Sequence, residues 1–415
     1  MPGKEKRMVK KRITAGQLAF LIPLLLLIAA FALYPILCSV VYSFFDYRTN
    51  DQTAAGLYTS TRFNARLFAE DCDYIAYYLD DEITLVEGAD KAELEAVSAE
   101  AAAMFQTYKG AEKPLALSPE EEKTLLSYID DAEARINRVY DANQGVAFYN
   151  RDKIGILANE MRSCIIKSNF TGLAAYGALL RDTRFFESLG HTVLFTLVSV
   201  ALELTLGMLL ALIMNKAMRG IGAVRTAALV PWAIPTAVSA LMWSYMYDGG
   251  SGVVAHMFAS LGLISSPQMM LLSAHGAMAA AILADVWKTT PYMALLLLAG
   301  LQIIDRGLYE SAKIDGASAS RTFFSITLPM LKPSMLVALL FRTLDAFRVF
   351  DLITVLTGGG PGGATETLSI YAYKLMIGQS NYGYGAVIVI AMALFVAAIA
   401  FVFIKVLGAE LIADD

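Results

Sequence analysis

Seven ionisable residues, Glu203, Asp285, Lys288, Arg342, Asp345, Arg348 and Asp351, stand in stretches of chain that are otherwise apolar. An ionisable side chain near the centre of a bilayer costs roughly 2.5 to 3.5 kcal/mol even on lenient scales, so a sequence that keeps several must gain something from them. Asp285, Thr289 and Tyr292 recur at i, i+4 and i+7 and share one helix face. Arg342, Asp345 and Arg348 recur every third residue and share a face of another helix. Carboxylates accept and guanidinium groups donate the hydrogen bonds that a hydroxylated solute would otherwise make to water, so two such stripes suit a pathway for that solute. The other reading is that the charges pair with one another and hold the helices together. In an ion-coupled secondary transporter the same carboxylates would serve proton or sodium coupling.

Catalytic and metal chemistry have little to work with. His191, His256 and His275 lie at expected helix ends or in a loop, without carboxylate or cysteine companions, which favours structural roles and no metal site. Cys38, Cys72 and Cys164 show no C-x-x-C spacing, so neither a zinc site nor a thioredoxin-like motif is indicated. Gly358, Gly360 and Gly363 satisfy G-x-G-x-x-G, but they follow a spanning helix instead of a strand and enclose Pro361. A mobile loop on the outer surface is the expected account. No G-x-x-x-x-G-K-[ST] occurs, so the chain holds no cofactor of its own, and any ATP, with its magnesium, must be bound by another chain.

The elements that carry these residues must be membrane helices. The 415 residues are 57% hydrophobic and 17% charged, with a mean hydropathy of +0.53, too apolar for an ordinary soluble protein. Apolar stretches of spanning length fall near 18–45, 190–214, 226–247, 274–302, 335–356 and 384–407. The first follows "MPGKEKRMVKKRITAG", with six Lys or Arg; it is too long for a signal-peptide core and reads as an uncleaved span. Six spans put both termini on one side. Fourteen basic residues flank the spans on that side, including Lys216, Arg219, Arg225, Arg306, Lys313, Arg321, Lys332 and Lys405, against Lys374 alone in the short loops of the other, so both termini are expected in the cytoplasm.

Residues 48–168 differ in texture and read as an extracytoplasmic helical insertion. Residues 46–190 hold 25 acidic and 15 basic residues, a balance of −10 within a chain of net charge −5. Ser118, Pro119 and three glutamates give an N-cap, an N1 proline and first-turn acids, which predicts a helix start. The lack of valine or threonine alternation argues against strands. Cys72 and Cys164 both fall in this segment, where an oxidising compartment would permit a disulfide between them.

The stretch "YESAKIDGASASRTFFSITLP", residues 309–329, is polar, rich in small residues and ended by proline. Gly316 interrupts a short helix carrying Glu310, Ser311, Ala312 and Ile314, and Ser318 or Ser320 can cap a second short helix before Pro329 and Pro333 mark the return to the membrane. Such a helix–turn–helix suits a surface that plugs into a partner.

That stretch, with Glu310-Ser311-Ala312, Asp315-Gly316-Ala317 and Ile326-x-Leu328-Pro329, resembles the EAA loop of permease subunits of binding-protein-dependent ABC importers. The motif's second alanine is Ser311 here. "DVWKTTPYMALLLLAGLQ", "FRVFDLITVLTGGGP" and "YGYGAV" are similar to the MalF-like, carbohydrate-importing branch, and the resemblance covers about residues 15–47 and 168–407. It implies an all-α, six-span membrane fold of the MetI-like type, divided as N-terminus 1–16, first helix 17–47, insertion 48–168, permease core 169–407 with EAA loop 303–334, and tail 408–415. It implies an ATP-driven importer of a sugar, a di- or oligosaccharide, with a glycerol phosphate or polyol as the alternative cargo. The implied partners are a second permease subunit, two ATPase subunits, an extracytoplasmic sugar-binding protein and the lipid of the bacterial cytoplasmic membrane, with no nucleic acid. ATPase coupling would fall to Glu310, Ser311, Ala312, Asp315, Gly316, Ala317, Ile326, Leu328 and Pro329. The substrate pathway would fall to Asp285, Thr289, Tyr292, Arg342, Asp345 and Val349.

Overall fold

The computed structural model describes residues 15–413 apart from 52, 113 and 217–219. The expected cytoplasmic placement of 1–14, of Arg219 and of 414–415 lies outside the described residues. The chain forms two compact units. One comprises 1–43, 174–379 and 384–415; the other comprises 44–173 together with 380–383.

The first unit begins with α1 (Ala15–Ile28) and α2 (Tyr34–Tyr42), joined by a π turn over Ala29–Leu33 into one apolar rod. No residue of Leu21–Tyr42 is buried within the chain.

The second unit is α3 (Ala65–Ile83), α4 (Gly88–Tyr108), α5 (Pro119–Ala142) and α6 (Arg151–Ser163) around their own apolar core, which includes Phe63, Phe68, Leu79, Leu94, Val97, Ile129 and Tyr140. The capping box at α5 is complete: Ser118 Oγ accepts from Glu121 N, and Glu121 Oε2 accepts from Ser118 N at 2.8 Å. Strands do occur, contrary to expectation, but as two-residue pieces too short for any alternation to show: β1 (Arg62–Phe63) pairs antiparallel with both β2 (Leu115–Ala116) and β3 (Ile165–Ile166). The disulfide that an oxidising compartment would permit is not formed. Cys72 and Cys164 are both buried free thiols, and Cys164 Sγ donates to Asp71 Oδ2 at 3.7 Å.

Asn169 closes the neck of this unit. Its Nδ2 donates to the Asp46 and Gly56 carbonyls at 3.0 and 2.8 Å, and its Oδ1 accepts from Tyr58 N at 2.9 Å. The ascending and descending chains are hydrogen-bonded beside it, Asp46 N to Asn169 O and Thr171 N to Phe44 O, both at 2.8 Å.

The first unit continues with α7 (Ala174–Leu179), α8 (Thr183–Met214), α9 (Ile221–Ala233), α10 (Thr236–Met246), α11 (Val253–Ser260), α12 (Met269–Leu272) and α13 (Ala274–Leu301). α13 is the hub, and small residues put it there. Gly276, Ala277, Ala280, Ala281 and Ala284 are all buried on it, allowing close helix approach without long side chains between backbones. Where α8 crosses, a Cβ on Gly207 would stand 2.8 Å from Met293 Cγ and 3.3 Å from the Ala294 nitrogen, so only glycine fits without displacement.

The third span is broken. α9 and α10 meet at 90° across Ile234-Pro235, because proline at 235 cannot donate to a continuing ladder and biases Ile234 to extended backbone. Counting that pair as one, the described chain has six spans.

Beyond α13 come α14 (Arg306–Ile314), α15 (Ala319–Thr322) and α16 (Leu328–Phe347). Here the structure corrects the expected second short helix. The helix that Ser318 caps, by accepting from Arg321 N at 3.3 Å, does not stop at the prolines but runs from Ala319 to Phe347. A π turn over Phe323–Thr327 immediately precedes Pro329, and such a widened turn accommodates the missing donor. The fifth span therefore ends at Phe347, not 356, and α17 (Asp351–Leu356) is a separate segment. α18 (Leu368–Tyr373) and α19 (Tyr382–Ala413) complete the unit.

The glycine-rich loop between α17 and α18 is pinned instead of mobile. Thr365, Glu366 and Thr367 are buried, and Glu366 accepts from Arg184 at 2.7 and 2.9 Å and from Lys374 at 2.8 Å. His191 lies inside α8, not at its end, with Nδ1 3.2 Å from the Glu366 carbonyl.

Candidate functional site

α8, α13 and α16 converge on Arg342. Its side chain is 2% exposed, and its guanidinium reaches three carboxylates. Nε and Nη2 form a fork on Glu203 of α8, Nη2 also donates to Asp285 of α13, and Nη1 donates to Asp345 one turn along α16 at 2.9 Å. Thr289, one turn from Asp285, donates to Glu203 Oε1 at 2.7 Å. Glu203 is completely buried, whereas the Asp345 side chain is 68% exposed. The carboxylates differ in their surroundings. Glu203, Asp285 and Arg342 bind three helices to one another, and Asp345 presents a carboxylate to open space.

That space is a cavity of about 250 Å³. Of the six expected pathway positions, Asp285, Thr289, Arg342, Asp345 and Val349 line it. Tyr292 does not; its ring stacks on Trp232, which does, with centroids 5.7 Å apart and planes 15° from parallel. Lys288, Arg348 and Asp351 also line it, so the wall carries three acids and three bases. Such a surface can donate and accept hydrogen bonds while Trp232, backed by Tyr292, offers a flat apolar face.

Sequence reasoning noted Glu203 and Lys288 as charges but assigned them no place in the site, and it missed Trp232. Lys288 donates to the carbonyls of Ile234 at 2.7 Å and Trp232 at 3.4 Å. Those are the orphan acceptors left where α9 breaks, so the ammonium caps a helix end inside the bundle. The "VPWAIP" stretch, with prolines either side of Trp232, is the signal that could have located the break and its exposed carbonyls.

The loop 303–334 forms a second surface. Asp305 caps α14 by accepting from Gly307 N at 2.9 Å, and Gly316 ends it with φ +73°, a left-handed conformation in which any side chain is strained. Ala317 N then returns to the Ala312 carbonyl at 2.9 Å, and Tyr309 Oη bonds Thr327 Oγ1 at 3.2 Å, tying the two arms together. Ala312 faces inward, Ala317, Ile326 and Leu328 are half-buried, and Glu310, Ser311, Asp315, Gly316 and Pro329 are exposed. Ile303 and Ile314, 83% and 85% exposed, leave the loop with apolar surface that the chain itself does not cover.

The profile of the family described as "Binding-protein-dependent transport system inner membrane component" matches residues 203–409. The chain is 48% identical to the trehalose/maltose transport system permease protein MalF of Thermococcus litoralis, over 57% of this chain and 79% of that protein. It is 44% identical to the trehalose transport system permease protein SugA of Mycobacterium tuberculosis, over 58% of this chain and 76% of that one. A solved bacterial ABC transporter involved in import of the acidic polysaccharide alginate shares the fold, with a TM-score of 0.50 and 24% identity over 58% of this chain and 82% of that one. With its six-span helical core of the MetI-like type, the chain belongs to the inner membrane components of binding-protein-dependent transport systems, as a non-catalytic, multi-pass permease subunit of an ABC importer.

Proposed function

We propose that the cargo is a sugar, and that Asp285, Thr289, Tyr292, Arg342, Asp345 and Val349 belong to its path. The observation that carries this is the cavity beside Arg342, whose exposed Asp345 carboxylate and Trp232 ring, backed by Tyr292, offer a polyhydroxylated ring both acceptors and a flat face. The trehalose and maltose transport of the relatives supports the same cargo class. A second, similar permease subunit would complete the path, with bilayer lipid around both. Two ATPase subunits, holding ATP and magnesium, would dock on the loop 303–334 through Glu310, Ser311, Asp315 and the exposed Ile314. Both termini would then lie in the cytoplasm with that loop. The insertion would face outward and contact the extracytoplasmic sugar-binding protein or the partner's outer loops.

Cargo moves by alternating access, in which closure of the ATPases moves the loop as a lever and the spans tilt around a fixed site. The test is reconstitution of the assembled complex in proteoliposomes with its binding protein. Uptake of radiolabelled trehalose or maltose that requires ATP inside and binding protein outside is expected. Uptake that follows a proton or sodium gradient without ATP would overturn it. Deleting residues 52–165 is expected to raise the concentration of binding protein needed for half-maximal uptake, and an unchanged value would restrict the insertion to a protective role.

A further inference from the structure

The insertion carries a groove of its own. It lies between α3 and α6, has a volume of about 410 Å³, and has Glu70, Asp71, Tyr74 and Tyr78 on one wall and Lys153 and Glu160 on the other. Asp71 is 3% exposed, yet it lines the groove. Its only hydrogen bond among the described residues comes from the Cys164 thiol, a weak donor, to Oδ2. Buried carboxylates are ordinarily paired with a base or several strong donors, because an ionised oxygen out of water is costly. Burial and the nearby Glu160 and Glu70 carboxylates push the Asp71 carboxyl up to about 6.

Neither Arg66 nor the groove's Lys153 serves Asp71. Arg66 pairs with Glu70 at 3.0 Å on the surface. The Lys153 ammonium sits 4.8 Å over the Tyr78 ring and donates to Asn150 Oδ1 at 3.0 Å. With Glu70 neutralised by Arg66, Asp71 and Glu160 stand against Lys153 alone, which leaves the groove one negative charge in excess. The rings of Tyr74 and Tyr78 are 24° from parallel with centroids 6.4 Å apart, and Tyr74 is more than half exposed. Aromatic faces attract cations and shelter aliphatic stems. A neutral polyol would satisfy hydrogen bonds here but leave that charge uncompensated.

We propose that this groove binds an organic cation, an ammonium or guanidinium group on an aliphatic stem, with Asp71 and Glu160 as counter-ions and Tyr74 as the ring against the stem. The same chemistry is offered by a free amine and by an arginine or lysine side chain of another protein. The full-length protein in lipid nanodiscs is titrated by calorimetry at pH 7.5 with butylguanidinium, with a blocked peptide carrying one arginine, and with maltose as the uncharged probe. Saturable binding of either cation is expected, the free form tighter if the source is a solute and the peptide tighter if it is a protein. Asp71→Asn and Glu160→Gln should each weaken that binding at least tenfold, while Asp73→Asn, exposed on the same helix, leaves it unchanged. If Asp71→Asn fails to fold, the exposed Glu160 carries the test. Absence of saturable cation binding, equal binding by the variants, or binding of maltose with both cations inert would overturn the proposal.

Discussion

Arg342→Met tests how the three helices are held. The methionine keeps most of the side-chain length and removes the charge, leaving Glu203 and Asp285 buried without a counter-ion. Removing one partner of a buried pair typically costs about 3 to 5 kcal/mol, most of it the penalty for the charge left behind. The carboxylates do not contribute equally. Glu203 and Asp285 are buried and carry that cost, whereas the pair with the largely exposed Asp345 belongs to the class worth about 0 to 1 kcal/mol. Asp345→Asn should therefore leave stability almost unchanged. The triple variant Arg342→Met, Glu203→Gln, Asp285→Asn removes the stranded charges together and should recover at least about 2 kcal/mol of the loss, since exchanging a whole buried ionic cluster for neutral groups is often close to neutral. Unfolding of the purified chain by SDS in mixed micelles, followed by circular dichroism, reads these differences. A loss below about 1 kcal/mol for Arg342→Met, or a triple variant as unstable as the single one, would refute the reasoning.

Asp345→Leu and Tyr292→Ala should lower sugar uptake in proteoliposomes severalfold with the complex intact on size-exclusion chromatography; loss of assembly at unchanged transport per complex would return both residues to a structural role. Glu310→Lys and Gly316→Pro should leave the chain inserted but detach or uncouple the ATPase, because the first reverses an exposed charge of α14 and the second forces φ from +73° to near −65°; wild-type uptake in both would remove the loop from coupling. Asp71 holds its proton to about pH 6 in the folded insertion against about 3.9 in an unfolded chain, so the folded state binds more protons between those values and its stability falls as pH rises through them. Hydrogen exchange in α3, corrected for intrinsic rate, should show that slope, Asp71→Asn should reduce it, and an unchanged slope would exclude Asp71 as its source.

What could be read from sequence was local or periodic. Ser118, Pro119 and Glu121 announce the start of α5 because all three act within one turn. Asp285 and Thr289 share a face because helix geometry fixes their spacing. Glu203 was visible as an isolated charge, but its partner Arg342 lies 139 residues away on α16, and only the packing of α16 against α8 brings them together. Pro329 and Pro333 suggested a boundary, since proline removes a donor; the π turn before them let the helix continue. The strands of the insertion are two residues long and leave no pattern to detect. The loop after α17 looked mobile from its glycines, but it is pinned by Arg184 of α8 and by Lys374, the residue that follows α18.

The hydrogen-bonded neck at Phe44–Asp46 and Asn169–Thr171 makes the insertion a detachable part. With its two ends hydrogen-bonded to each other, the insertion could be exchanged for another folded segment with adjacent termini. Selection on the inserted segment and selection on the spans can then act on different residues. The neck is also a natural place to graft a reporter or an affinity module.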